Sequence, residues 1–449
     1  MLWNGGKTLS RAKAPAREKA DILIVNANEL ITLAGGSEKP RVGSQMRELG
    51  IIRGGCVAIK DGRIIAVGKT VDVRKNVRAE TIINASGKTV MPGFVDPHTH
   101  LVFAGSREDE FQMRIEGTSY MDILKSGGGI LKTVRETRKA SVDELLGFGL
   151  STLDVMLRHG TTTVEAKSGY GLTTKDEMKI LGVIKRLNQL HAVDVVPTFM
   201  GAHAIPPEYR SSPEDYVKLV VEEMIPRVAE KALAEFCDVF CERGVFTIEQ
   251  SRRILEAGKG YGLKPKIHAD EMSTFGGAEL AASLGAVSAE HLLFASDEGL
   301  KAMAEKGIIA VLLPAAAFSL MSGRYADARK MIDYGVPVAL GTDFNPSCWV
   351  ESQQLVVAFA CHFMRMTPAE AITAATINAA HAIGRAKEVG SIEVGKKADI
   401  IVLNMPNHMF LGYRFGVNLV DKVIKNGRLV VDEEAKLAES VKFFSKELE

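Results

Sequence analysis

The chain has 449 residues and a formal net charge of +1. That length exceeds one compact core and suits two or three domains, one of them large. The even charge balance excludes a nucleic-acid binder working through a basic stripe, and no run approaches the roughly 20 apolar residues of a membrane span.

The first residues lack the charged start and apolar stretch of a signal peptide. The cysteines, at 56, 237, 241, 348 and 361, are scattered and odd in number. Such spacing argues against a disulfide framework and for the reducing cytoplasm.

In chain order, residues 1–19 read as a solvated basic arm. Residues 20–92 are strand-like: Ile22-Leu-Ile-Val25, then Val57-Ala-Ile59, a turn at Asp61-Gly62, and Ile64-Ile-Ala-Val67. Asp-Gly between alternating apolar residues is a hairpin signal. Residues 391–449 repeat the pattern, with Asp399-Ile-Ile-Val-Leu403, Val423-Ile424, a turn at Asn426-Gly427, Leu429-Val-Val431, and a helix over 432–449. Each β segment is too small for a core of its own, so the two ends are expected to pack as one small β-sandwich domain.

Residues 93–390 alternate strands and helices. Strand ends are expected near His100, Glu165, His203, Cys241, His268, His291, Leu313 and Asp343, with helices over 141–159, 174–190, 249–261 and 297–306. Thr367-Pro-Ala-Glu370 opens a further helix to 383, with Thr as N-cap, Pro at N1 and Glu at N3. Eight strands alternating with helices predict an α/β fold, a (β/α)8 TIM-type barrel whose active site lies at the C-terminal strand ends.

His98 and His100 stand one residue apart where the strand pattern Phe94-Val95 runs out, so both imidazoles share one side and can grip one metal ion. His203, His268, His291 and Asp343 fall at the same edge of the barrel. His98, His100, His268 and Asp343 make a set of three nitrogens and one carboxylate that suits one divalent ion, zinc or iron(II), with an open position for water. Asp343 can ligate the ion or hold the attacking water.

Glu271, three residues after His268, is placed to take that water's proton and deliver it to a leaving nitrogen; Asp270 is a weaker candidate for the same work. His291 can polarise a carbonyl or stabilise an oxyanion. Together these pieces predict hydrolysis at an amide, amidine or ring carbon.

At these residues the chain resembles the amidohydrolase superfamily. Pro92-Gly-Phe-Val-Asp-Pro-His-Thr-His100 matches its opening motif, Gly341-Thr-Asp343 its closing one, and Val394-Gly-Lys-Lys-Ala-Asp399 its return to the β domain. Within the superfamily the chain is similar to the imidazolonepropionase family. The carrying segments are His100-Leu-Val-Phe-Ala-Gly-Ser-Arg107, Gly127-Gly-Gly-Ile130, Glu165-Ala-Lys-Ser-Gly-Tyr-Gly-Leu172, Phe199-Met-Gly-Ala-His203, His268-Ala-Asp-Glu271 and Thr342-Asp-Phe-Asn-Pro346.

The resemblance implies hydrolysis of 4-imidazolone-5-propanoate to N-formimidoyl-L-glutamate, with His98, His100, His268 and Asp343 around one zinc or iron ion. It also implies substrate contacts from Arg107, Tyr170, His203 and Asn345, with Glu271 and His291 near the reacting carbonyl. A propionate tail wants a bidentate cation, which Arg107 would supply, and Tyr170 can hydrogen-bond the ring or the tail. The chain departs from the family pattern at Ser347 and Cys348, where Gly and then Ser or Thr are expected. Both are kept as substrate contacts: the Ser347 N–H is expected to hold an anion, and a left-handed conformation there would cost about 1 kcal/mol.

The rival readings are a nucleobase deaminase, a two-metal cyclic amidase and a non-catalytic scaffold. The first leaves Arg107 without a carboxylate to bind. The second would have to bridge its ions through Glu242. The third ordinarily loses ligands, and this chain keeps them. A homodimer is expected from the size of such barrels.

Overall fold

A computed structural model describes residues 17–118, 122–123 and 127–434. Most of the basic arm, and the helix anticipated over 432–449 beyond residue 434, lie outside the described residues.

The N-terminal part supplies β1 (Glu18–Ala27), β2 (Glu29–Ile31), β3 (Ile51–Ile52), β4 (Gly55–Lys60), β5 (Arg63–Lys69), β6 (Val77–Asn84) and β7 (Thr89–Pro92). The barrel strands follow as β8 (Phe94–Asp96), β9 (Thr161–Lys167), β10 (Asp194–Ala202), β11 (Phe236–Cys241), β12 (Lys264–Ala269), β13 (Ser288–His291), β14 (Ile309–Leu312) and β15 (Val338–Leu340). The chain then returns with β16 (Ile400–Leu403), β17 (Val420–Lys425) and β18 (Arg428–Asp432).

Strands from the two ends share one six-stranded sheet, ordered β18-β17-β16-β7-β2-β3. In it β16 lies antiparallel to β7, with Ile401 opposite Met91. A four-stranded sheet, β5-β4-β1-β6, covers it. The unbroken apolar run of β1 is explained by burial on both sides. Ile22 and Ile24 face Val90, Ile400 and Val402 of the other sheet, whereas Leu23 and Val25 pack with Val73 of the helix Thr70–Asn76. Both anticipated hairpins form, at Asp61-Gly62 and Asn426-Gly427.

The eight barrel strands are parallel and ordered in sequence from β8 to β15. The ring closes just past the last paired strands, where the Asp343 N–H donates to the His98 carbonyl at 3.0 Å and the His100 N–H to the Phe344 carbonyl at 2.8 Å. Asp96 reinforces this seam by accepting the Thr342 N–H at 3.1 Å and hydroxyl at 2.6 Å. The closure therefore binds the two metal-type motifs directly to each other.

Two elements differ from the sequence reading. β9 runs two residues past Glu165, because Lys167 is fully buried among carboxylates and so belongs to the barrel interior. The helix expected over 367–383 splits into Pro368–Ala374 and Ile377–Ala382. At the break the Ala375 carbonyl leaves the helix and accepts the Val95 N–H of β8 at 3.0 Å. The helix gives up continuity to satisfy a short barrel strand.

Candidate active site

The sequence-nominated residues converge on the C-terminal end of the barrel. His98 and His100 follow β8, His203 follows β10, His268 is inside β12, His291 ends β13 and Asp343 follows β15. Ligand atoms of His98, His100 and His268 lie within 4.8 Å of one another, as do those of His98, His291 and Asp343. Asp343 Oδ1 is 3.4 Å from His98 Nε2 and 3.7 Å from His100 Nε2.

These groups are buried, yet His98 Nε2, His268 Nε2 and Asp343 Oδ1 have no hydrogen-bond partner among the described residues. A buried polar atom left so costs about 1–3 kcal/mol. Imidazole nitrogens and a carboxylate oxygen left unpaired in two buried clusters that share His98 are a donor set for a first-row dication. The residues present fit the group that the sequence implied.

Backbone strain gathers at the same strand ends. Asp270, His291, Leu292 and Asp343 all have positive φ, between 50 and 70°. Each costs about 1 kcal/mol or more in a non-glycine residue. Asp270 is held there by its own carboxylate, which accepts N–H groups from Phe275, Gly276 and Ala278 at 2.8–3.0 Å. It caps the helix Gly277–Leu284, so the alternative of Asp270 as the proton carrier gives way to a structural task.

Burial sets the protonation states. It opposes charge on His98, but the Glu290 carboxylate outweighs it and raises the imidazole to about 9. His203 and His291 are pushed down to about 3, chiefly by burial, and are neutral imidazoles at neutral pH. Glu271 is raised to about 8 by burial first, then by Asp343 and Glu242. Glu271 Oε1 lies 3.6 Å from His291 Nδ1, beyond a good hydrogen bond.

His100, Arg107, Tyr170, His203, His268, Glu271, His291, Asp343, Asn345, Ser347 and Cys348 line one cavity of about 480 Å³, with His98 fully buried beneath. His203 stacks on His100 with ring centroids 4.7 Å apart and lies 3.1 Å through Nδ1 from the Gly169 carbonyl. That contact makes Nδ1 a donor and turns the Nε2 lone pair of the neutral ring away from Gly169.

Two nominated residues, Ser347 and Cys348, behave differently from expectation. The Ser347 N–H does not await an anion: it donates to Asn345 Oδ1 at 2.8 Å, as the Cys348 N–H does at 3.2 Å. Ser347 does not have positive φ either, so no left-handed strain arises where glycine was expected. Cys348 is buried, its thiol 3.5 Å from the Thr342 carbonyl and pushed up in pKa by that burial, which makes it packing at the edge of the cavity. Asn345 closes this turn by donating to the Asp343 carbonyl at 2.7 Å.

Sequence reasoning missed a layer of supporting charges. Glu110 binds Arg107; Asp238 and Glu290 back His268 and His98; Lys167 and Lys266 join those carboxylates. Glu242 does not face the ligand cluster as a bridging group would. It accepts the Met272 and Ser273 N–H groups at 2.9 and 3.3 Å and so anchors the loop that carries Glu271. A signal was present: Glu165 and Lys167, Lys266 and His268, and Ser288 and Glu290 are polar pairs at strand period 2.

The model of the amidohydrolase family matches residues 89–430. An imidazolonepropionase of Alkaliphilus metalliredigens is 54% identical over 419 residues, covering 92% of this chain and 98% of the relative. One from Brevibacillus brevis is 58% identical over 417 residues, with the same coverage of 92% and 98%. Among solved structures, an adenosine deaminase from Xanthomonas campestris with bound zinc has a TM-score of 0.68 at 20% identity, covering 96% of this chain and 99% of that one. An ochratoxinase from A. niger has a TM-score of 0.66 at 20% identity, covering 92% and 96%. The solved structures share the fold, and the curated relatives narrow it: the chain belongs to the amidohydrolase family and, within it, to the imidazolonepropionases.

Proposed function

We propose that the chain hydrolyses a ring C–N bond of 4-imidazolone-5-propanoate, giving N-formimidoyl-L-glutamate in histidine degradation. The observation that carries this reading is the single cavity lined by His100, His268 and Asp343 together with Arg107, over the buried His98. A dication-type donor set and a guanidinium suit a cyclic amide with a carboxylate tail. Curated relatives named imidazolonepropionase, 53–58% identical over most of this chain, support the substrate.

His98, His100, His268 and Asp343 would hold one zinc or iron ion. Such an ion supplies Lewis acidity and lowers the pKa of a bound water. Glu271 takes the proton released as the water oxygen bonds to the ring carbonyl carbon, and returns it to the ring nitrogen as the C–N bond breaks. Neutral His291 donates a hydrogen bond to the oxygen on which charge develops. Glu110 holds the Nε and Nη2 edge of Arg107, so the propionate is read through the other edge, Nη1 and the second N–H of Nη2. Tyr170, His203 and Asn345 border the remaining space.

The barrel, residues 93–390, carries the chemistry, and the sandwich from 20–92 and 391–449 frames it. Five free cysteines support a reducing compartment such as the cytoplasm. A homodimer is supported by an exposed aromatic face. Phe318 and Phe363 are 50% and 45% exposed, and Tyr325 stacks on Phe363 at 4.7 Å. Such patches mark interfaces; light scattering of wild type and Phe363→Glu decides, with a monomeric wild type against it.

Turnover of freshly prepared substrate by metal-reconstituted protein tests the reaction. The rate disappears with a chelator and returns with zinc or iron; metal analysis of the protein as purified names the native ion. No turnover by protein holding one ion per chain would overturn the substrate.

A further inference from the structure

A group of buried charges lies beside the ligand cluster, and the proposed reaction does not use it directly. Lys167 Nζ sits 2.8 Å from Asp238 Oδ2, 3.0 Å from Glu290 Oε2 and 2.8 Å from Glu165 Oε1. Lys266 Nζ is 3.0 Å from the other oxygen of Glu290. All five side chains are fully buried. Burying charge on this scale is expensive unless each ion is matched, and a hydrophobic plug would fill a barrel at lower cost.

The carboxylates have further partners. Asp238 Oδ1 is 3.1 Å from His268 Nδ1, and Glu290 Oε2 contacts His98 Nδ1. An ionised carboxylate only accepts, so each imidazole must carry its proton on Nδ1. In a neutral, metal-binding ring that leaves Nε2 as the lone pair, and both Nε2 atoms are among the buried nitrogens without a hydrogen-bond partner among the described residues.

We infer that Lys167 is a positioning residue: by holding Asp238 and Glu290 together as carboxylates, it fixes His98 and His268 as Nδ1–H tautomers that present Nε2 to the metal. The inference rests on the ligand set of the proposed function.

Zinc competition against a chromophoric chelator on metal-free protein separates the two ideas. A wild type that holds no tight ion would remove the ligand set itself. With wild-type binding established, Lys167→Met raises the zinc Kd by about tenfold or more, as loss of outer support to ligands typically does. Asp238→Asn does the same, and the double variant is less than additive because both act on His268. The metal-free melting temperatures are measured alongside, since a merely structural lysine would lower them without moving Kd in the folded fraction. A wild-type Kd in either folded variant overturns the inference. ¹⁵N-histidine spectra of zinc-loaded wild type need no variant: Nδ1–H on both His98 and His268 is expected, and coordination through Nδ1 of either ring overturns it.

Discussion

Arg107 and Glu110 form a buried pair in which Nε and Nη2 both reach one carboxylate oxygen, Oε2, at 2.8 and 2.7 Å. The other oxygen, Oε1, accepts the Gly129 N–H at 2.7 Å, so the guanidinium and the Gly-rich turn are tied to one acid. Arg107→Ala is expected to lower kcat/KM by the equivalent of about 2–5 kcal/mol, because the substrate carboxylate is left buried and unpaired. Glu110→Gln keeps the cation but loosens its aim, with an expected loss of about 1–2 kcal/mol. Steady-state kinetics checks both; a wild-type value for Arg107→Ala would sink the tail assignment.

Glu271 is predicted to control the acid limb of the pH profile. Burial, Asp343 and Glu242 raise its carboxyl to about 8, and a bound dication favours the ionised form and moves the limb lower. The base must be ionised, so kcat/KM rises with pH through this group. Glu271→Gln should lose about 10²–10⁴ in kcat and the acid limb with it, while keeping its metal. The stability sign is opposite. A carboxyl raised from 4.5 to about 8 favours the fold below 4.5 and loses that contribution as pH climbs through 8. Metal-free wild type should therefore fall behind Glu271→Gln in melting temperature between pH 5 and 9 (about 1.4 kcal/mol per pKa unit); parallel curves would refute the assignment.

The ligand-bearing edge was legible because a strand end makes i and i+2 residues neighbours, so His98 and His100 reveal their geometry without a structure. The barrel followed from alternation, and the sandwich from two apolar hairpins with nothing else to cover them. What stayed hidden depends on partners far apart in sequence. Lys167 lies past the strand end expected near Glu165 and has no role in the sequence until Asp238 and Glu290 are brought beside it. Glu242 stays open to the two-metal rival as a bridge until the loop at 272–273 folds onto it. The break at Ala375 is likewise invisible, since its cause is the Val95 N–H some 280 residues earlier.

The turn after Asp343 tests how far a family pattern constrains this chain. Asn345 accepts two N–H groups and donates to Asp343, so Asn345→Ala should cost about 1–3 kcal/mol of stability by orphaning them. Ser347→Gly, which restores the expected residue, should leave kcat/KM within about twofold. It should lower stability by about 0.5–1 kcal/mol through backbone entropy alone, since Ser347 does not have positive φ. A gain in activity on Ser347→Gly would mean that the N–H leaves Asn345 to bind substrate.

Glu370 links three parts of the chain and is predicted to set their tolerance to acid. Its carboxylate accepts the Thr367 N–H at 2.8 Å, as a capping box requires, and also meets Arg329 and Arg47 at 3.0 and 2.9 Å. Burial opposes its charge, but these donors, Arg329 foremost, hold it at about 2. The depressed value means that its stabilisation is complete above the ordinary 4.5 and drains away as pH falls toward 2. One pKa unit is worth about 1.4 kcal/mol, and Arg47 is 58% exposed, so a discounted figure of about 2 kcal/mol is expected. Glu370→Gln should therefore unfold more easily in urea at pH 7, and the gap from wild type should narrow as pH drops below 4.5. A gap that stays constant across that range would assign the loss to the capping hydrogen bonds instead of the charge.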